Sequence, residues 1–182
     1  MNTNHVLKLM IPLDVAEQVA LAPSSEALIN GAGTDELEPA YKLHVTLAFL
    51  GKHISGDQRQ VVAAVLDKLA GTWGPLRLHL GTLRKFQIRW REVVWAAVDE
   101  PTGELEVLRE RLVTDLRSRG IAVDETFDAG GWTPHVTLAR GKLGLLQRVV
   151  RRHDYLNTHA LVGKLTYKAG VEVLEYPLRG EQ

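Results

Sequence analysis

The chain contains no cysteine. That excludes disulfide bridges, a thiolate nucleophile and cysteine-ligated zinc, and it agrees with an expected cytoplasmic location. No apolar run approaches the length needed to cross a bilayer, so no membrane role is expected. The opening Met1-Asn2-Thr3-Asn4-His5 lacks the basic, long-apolar, small-residue order of a secretory leader. Excess charge is absent too, since 22 basic residues balance 22 acidic ones. Wholesale binding of long nucleic acid needs a broad basic surface, so this balance argues against it while leaving room for a local basic groove and a short oligonucleotide. What remains is ordinary for a globular chain: 182 residues, 45% hydrophobic and 24% charged, enough to bury a core as one unit. A monomer is expected.

Against this background one feature stands out. His44-Val45-Thr46-Leu47-Ala48 is written again as His135-Val136-Thr137-Leu138-Ala139. A single His-x-Thr is usually the polar face of an amphipathic strand. An identical pentapeptide repeated about half a chain later marks duplicated architecture. Strand side chains alternate faces, so His44 and Thr46 share one face while Val45 and Leu47 turn to a core, and His135 and Thr137 repeat the arrangement. Two such strands could build one symmetric site with two imidazoles and two hydroxyls.

The rest of the chain reads as a mixture of strands and helices. Val6 to Leu13 is a first strand, and Asp14 caps a short helix to Ala22. Ser24 to Lys42 is a long polar loop, of the kind that often serves as a lid. Leu43 to Leu50 is the first motif strand. Ser55-Gly56-Asp57 opens a helix to about Leu69, with Val61, Val62, Val65, Leu66 and Leu69 at helical spacing. Leu76, Leu78 and Leu80 alternate with polar residues, and Leu83 to Ile88 and Val93 to Val98 are further strands. Thr102 caps a helix to about Arg119 with Leu105, Leu108, Leu112 and Leu116 on one side, and Gly120 ends it. Ile121 to Gly131 is a mixed connection, Trp132 to Ala139 the second motif strand, and Leu143 to His153 a helix. Leu161 to Tyr167 and Val171 to Tyr176 close the chain as strands. The pattern predicts an α+β fold of two similar lobes with antiparallel-rich sheets facing a shared cleft, all within a single domain over 1–182.

The repeated residues suit phosphodiester chemistry. Histidine titrates near neutrality, so a facing pair can supply a general base and a general acid together. One takes a proton from the attacking water and the other gives one to the leaving oxygen. Thr46 and Thr137 can donate hydrogen bonds to the phosphoryl oxygens as charge builds on them. This arrangement calls for no metal and no cofactor.

The two segments, His44-Val-Thr-Leu-Ala-Phe-Leu-Gly51 and Pro134-His-Val-Thr-Leu-Ala-Arg140, resemble the paired motifs of the 2H phosphoesterase superfamily. They are most similar to its LigT branch, the RNA 2′,3′-cyclic phosphodiesterases also called 2′-5′ RNA ligases. Leu9-Met-Ile-Pro-Leu-Asp14 and Val171-Glu-Val-Leu-Glu-Tyr-Pro-Leu178 resemble the branch's first and last strands, so the similarity spans nearly the whole chain. The resemblance implies a bilobal pseudo-twofold α+β fold with helices outside and both motifs in the cleft. It also implies metal-independent hydrolysis of a 2′,3′-cyclic phosphate on an RNA end, nucleotide or short oligonucleotide, leaving a 2′-phosphate. Two departures bear on the substrate: Leu37 to Lys42 lacks the tryptophan associated with bacterial members, and the loop from Ser24 to Glu38 is acidic. Cleavage of 2′-5′-linked or cyclic oligonucleotide signals, RNA 2′-5′ ligation and a non-catalytic nucleotide-binding module therefore stand as alternatives.

Further candidates surround the motifs. Arg140 occupies a position where the family pattern carries an arginine, and a phosphate contact is expected there. Strict alternation would nevertheless turn it away from His135 unless the strand ends or bulges. Tyr41, Phe49, Phe86 and Trp132 could stack on a base, with Tyr41 and Phe86 chosen as substrate contacts. Arg84, Lys85, Arg89 and Arg91 form a basic cluster, read as a solvated strand edge or as a phosphate arm. His5, His53, His153 and His159 are expected at the surface, and His79 in the cleft or exposed.

Overall fold

The computed structural model describes residues 4–21, 37–88, 91–124, 131–142 and 155–180. Strand β1 (His5–Met10) is followed by helix α1 (Leu13–Leu21), a 3-10 turn (Ala40–Lys42) and β2 (His44–Phe49). Helix α2 (Gly56–Thr72), β3 (Leu76–Ile88), β4 (Arg91–Asp99) and helix α3 (Glu104–Ser118) come next, and β5 (His135–Lys142), β6 (Tyr155–Val162), β7 (Lys164–Ala169) and β8 (Glu172–Pro177) complete the order. The expected helix over Leu143 to His153 and most of the loop from Ser24 lie outside the described residues. Among the described residues no helix is long and apolar enough to cross a membrane.

Local chemistry explains where the helices begin. Ser55 and Gln58 form a reciprocal capping box on α2: Ser55 Oγ accepts from the Gln58 backbone at 3.2 Å and Gln58 Oε1 accepts from the Ser55 backbone at 3.0 Å. Val62, Val65, Leu66, Leu69 and Ala70 form its buried face, and it runs one turn past the expected Leu69. Helix α3 starts differently from the sequence reading. Gly103, with φ 77°, occupies the cap in place of Thr102 and brings no side chain. The Glu100 carboxylate substitutes for it, accepting from Leu105 N at 3.1 Å and from Thr102 N at 3.0 Å. Partial burial pushes the Glu100 pKa up, but hydrogen bonds from the Thr102 hydroxyl and from backbone N–H groups, Leu105 first, outweigh it and hold the carboxyl below its usual value.

The eight strands among the described residues join in one antiparallel sheet of order β6-β3-β4-β5-β2-β1-β7-β8. The two expected sheets are its four-stranded halves. The motif strands β2 and β5 lie side by side at the centre, joined at the pair Val45↔Val136. One half is continuous in sequence, β3 to β6, while the other gathers both ends of the chain. Where alternation suggested one strand from Leu161 to Tyr167, the chain breaks between Val162 and Lys164, and the two sides become β6, at one edge of the sheet, and β7, next to the last strand at the other. The Leu76 and Leu83 segments, conversely, are one strand with an irregularity between Leu80 and Leu83, and the second motif strand begins at His135, not at Trp132.

The apolar positions of the sheet pack beneath the helices. Leu7, Leu9, Val45, Val136, Leu165 and Tyr167 are buried with Leu66, Leu108 and Leu112 of the helices, each worth about 1.5–3 kcal/mol of burial. His5 also belongs here, correcting the expectation that it is exposed: it is 2% exposed and its Nδ1 lies 2.6 Å from the Tyr167 hydroxyl. Burial, then the Arg59 charge, keeps its pKa below the usual histidine value. The other face of the sheet is left for the cleft.

Candidate active site

Carrying the Val45↔Val136 register one step each way sets His44 across from Thr137 and Thr46 across from His135. Beyond that point each motif strand contains one extra residue. Lys8 pairs with Thr46 but Leu7 pairs with Ala48, so Leu47 is the bulged residue of β2. Trp95 pairs with Thr137 but Val94 pairs with Ala139, so Leu138 is the bulged residue of β5. A bulge reverses the alternation beyond it. It turns Phe49 and Arg140, each five residues past its histidine, to the side that His44 and His135 face. Val6, the partner of Phe49, and Val93, the partner of Arg140, line the same cleft. Strict alternation would turn Arg140 away from His135, and this bulge is the device that brings the arginine into the site.

The cleft has a volume of about 1150 Å3, above the ~300–1,000 Å3 of a typical small-molecule pocket. His44, Thr46, His135 and Thr137 line it together, with Arg140, Tyr41 and Phe86. Both histidines are held the same way: His44 Nδ1 lies 2.5 Å from the Lys42 carbonyl and His135 Nδ1 lies 2.8 Å from the Thr133 carbonyl. A carbonyl only accepts, so each Nδ1 carries its hydrogen and each Nε2 is left for the cleft. His44 is pushed down to about 4, by burial first and then by the Lys8 charge; the Lys42 carbonyl opposes the shift, and His135 and Lys168 add to it. At neutral pH it is therefore an uncharged imidazole with a free lone pair.

The two walls differ. Phe86 meets His135 edge-on at 6.0 Å, Trp95 lies 5.3 Å from the same ring, and the Arg84 guanidinium stands 5.9 Å above Trp95. Phe86 is legible in the sequence, but Trp95 is not, because it sits in an unbroken apolar run with no polar marker. Of the expected basic cluster, Arg84 reaches the cleft and Lys85 instead pairs with the buried Glu92 at 3.4 Å; Arg89 lies outside the described residues. Tyr41 stands at the mouth, 66% exposed, with Lys42 Nζ 5.4 Å from its ring centroid. Trp132 is structural as well as cleft-lining: its indole donates to the Thr46 carbonyl at 3.1 Å, tying the approach to the second motif onto the first.

Arg140 forms an ion pair with Glu38, and Leu37 bridges to Ala139, so the segment before the first motif borders β5. Asp124, before the second motif, bridges to Phe49 of β2 in the same manner. Glu38, Lys8, Lys168 and Thr166 also line the cleft and were not singled out from sequence. The signal available was Lys8, a charge in the otherwise apolar Val6-Leu7-Lys8-Leu9-Met10. His79 lies away from the cleft, stacked on His159 at 4.7 Å. Among the described residues no three His, Asp or Glu side chains come together in a way that could hold a metal ion.

The family model of the 2′-5′ RNA ligase superfamily matches residues 20–163. The chain therefore belongs to that superfamily, the 2H phosphoesterases. No curated protein matches it. Among solved structures it is similar to TT0787 of Thermus thermophilus, at 20% identity over 98% of this chain and 100% of that one, with a TM-score of 0.74. Escherichia coli LigT complexed with 3′-AMP matches at 20% identity over 97% of this chain and 95% of LigT, with a TM-score of 0.61. Usb1 of Kluyveromyces marxianus matches at 16% identity over 97% and 98%, with a TM-score of 0.64. These likenesses establish the α+β fold, and the superfamily acts on phosphodiester bonds of RNA and nucleotide substrates.

Proposed function

We propose that the chain is a metal-independent phosphodiesterase, a single domain of two similar lobes, that hydrolyses a 2′,3′-cyclic phosphate on an RNA end, nucleotide or short oligonucleotide. The observation that carries this reading is the matched pair of Nδ1–carbonyl hydrogen bonds, which leaves two Nε2 atoms for one cleft. His44, kept neutral, is the general base and takes a proton from water as its oxygen bonds to phosphorus. His135, carrying a second proton on Nε2, is the general acid and gives that proton to the 3′ oxygen as the phosphorus–O3′ bond breaks, which leaves a 2′-phosphate. Thr46 and Thr137 donate to the non-bridging oxygens, and Arg140 adds a positive charge beside them. Phe86 and Trp95 provide the surface for the base. Ligation would require the site to exclude water, and this wide cleft gives it no support. Cleavage of a 2′-5′ linkage by the same groups is a second reading, favoured by the cleft volume.

The test is a screen of 2′,3′-cyclic nucleotides, RNA with a cyclic-phosphate end, 2′-5′ oligoadenylates and cyclic di- and trinucleotides, with products identified by mass. The expected result is a 2′-phosphate product that gains one oxygen from labelled water. Turnover of 2′-5′ oligoadenylates alone would replace the first reading with the second. Tight nucleotide binding with no turnover of any substrate would identify a recognition module.

A further inference from the structure

The pseudo-twofold makes the two walls comparable residue by residue. Lys8 pairs with Thr46 where Trp95 pairs with Thr137. One strand further out, Thr166 pairs with Lys8 and Lys168 with Val6, as Arg84 pairs with Trp95 and Phe86 with Val93. Lys8, Lys168 and Thr166 thus hold the places that Trp95, Phe86 and Arg84 hold opposite, and all six line the cleft. One wall is built for a ring. The other carries two ammonium groups and a hydroxyl.

On that second wall the two ammonium groups, of Lys8 and Lys168, are not neutralised by an ion pair among the described residues. The carboxylate across from Thr166, Glu175, is engaged by Lys164 at 2.7 Å. Burial, then the Lys168 and Arg140 charges, pushes Lys8 down to about 8. Thr166 is 2% exposed and its hydroxyl has no hydrogen-bond partner. Like charges side by side and an unsatisfied buried hydroxyl each cost free energy, and an anion entering the cleft removes both costs.

We propose that Lys8, Lys168 and Thr166 form a second anion subsite, which receives a phosphate at O5′ of the nucleoside whose cyclic phosphate reacts. Lys8 and Thr166 lie one and two strand spacings from Thr46, about 5–10 Å, the span of one ribose between two phosphates. The preferred substrate therefore carries at least two phosphate groups and lies across the cleft in one direction, base on the aromatic wall and flanking phosphate on the basic wall. This rests on the reading of the His and Thr groups as the reacting site.

The experiment compares adenosine 2′,3′-cyclic phosphate with the same compound 5′-phosphorylated, and with an ApA dinucleotide ending in a cyclic phosphate, at low ionic strength. Wild type should favour the two-phosphate substrates by about 10- to 200-fold in kcat/KM, the value of charged hydrogen bonds. Lys168→Met and Thr166→Val should bring that ratio toward one, with circular dichroism confirming the fold. Preference for the 5′-phosphorylated nucleotide alone, or for the dinucleotide as well, tells a terminal phosphate from an internal one. Binding is read separately by calorimetry with adenosine 2′-monophosphate and adenosine 2′,5′-bisphosphate. A bisphosphate preference that needs Lys168, in a protein that turns over neither substrate, would keep the subsite and remove the hydrolytic reading. Turnover with equal rates and equal binding for one and two phosphates, or a preference the variants leave intact, would overturn the subsite alone.

Discussion

Lys8 stands on the strand beside His44, and after burial its charge is the largest influence keeping that imidazole unprotonated. A neighbouring cation disfavours a second positive charge, so removing it makes His44 easier to protonate. The acid limb of kcat/KM, which reports the base of the free enzyme, should lie near pH 4 in wild type. In Lys8→Met it should move upward, toward the ordinary histidine value of about 6.5. A pH–rate series on both proteins checks this, and an unmoved limb would separate His44 from the base role. Stability follows the same linkage. The folded pKa lies below the unfolded one, so the unfolded chain binds more protons below about 6.5. Stability should fall as pH drops from there to about 4, and His44→Ala should lose its share of that dependence, leaving the part contributed by the buried His5.

His44→Ala and His135→Ala should each lower kcat by roughly 10²–10⁴, the usual contribution of a general acid or base. Both residues are only half-buried on the cleft face, so the fold should survive. Steady-state kinetics with a binding measurement on the product decides between lost chemistry and lost affinity. A variant within a few-fold of wild type would end the two-histidine mechanism.

The two threonines can be tested without changing shape. Valine keeps the β-branched form, so Thr46→Val and Thr137→Val remove only a hydroxyl. Loss of one hydrogen bond to charged oxygens should cost about 1.5–3 kcal/mol, roughly 10- to 200-fold in rate. Part of the loss should fall on KM, because the phosphate is already anionic in the ground state. Normal kinetics in the folded double variant would leave Arg140 as the anion-binding group to examine.

Phe86→Ala should weaken substrate binding more than chemistry. Stacking of one base is worth about 1–3 kcal/mol, so KM should rise by roughly 5- to 150-fold with kcat little changed. Phe86 is partly exposed, so a melting temperature close to wild type is expected alongside the kinetics.

Exhaustive EDTA treatment should leave activity intact, since two imidazoles already account for both proton transfers. Loss of activity restored by one particular divalent ion would show the opposite.

Much of this site was legible because it repeats. The duplicated pentapeptide fixes two strands, their core faces and the pairing of His with Thr, and alternation is a local rule that one sequence obeys without help. The helix start at Ser55 was equally local. What escaped depended on chain segments meeting from afar. Lys8 and Thr166 become neighbours only when β1 pairs with β7, across most of the chain's length. The burial of His5 depends on the same pairing, through Tyr167. Gly103 displaced Thr102 as a cap because Glu100 could reach the helix start, a choice of loop geometry that propensity alone does not decide.

The extra leucines have a consequence for how such proteins are recognised. Because Leu47 and Leu138 each shift the pleat by one residue, the working unit is six residues long, His-x-Thr-x-x-X, with its first, third and sixth side chains on one surface. Here the sixth is Phe49 in one copy and Arg140 in the other. An alignment judged on His and Thr sees two equal halves. Judged on the sixth position it sees which half has turned toward rings and which toward charge, and so in which orientation a ligand is read.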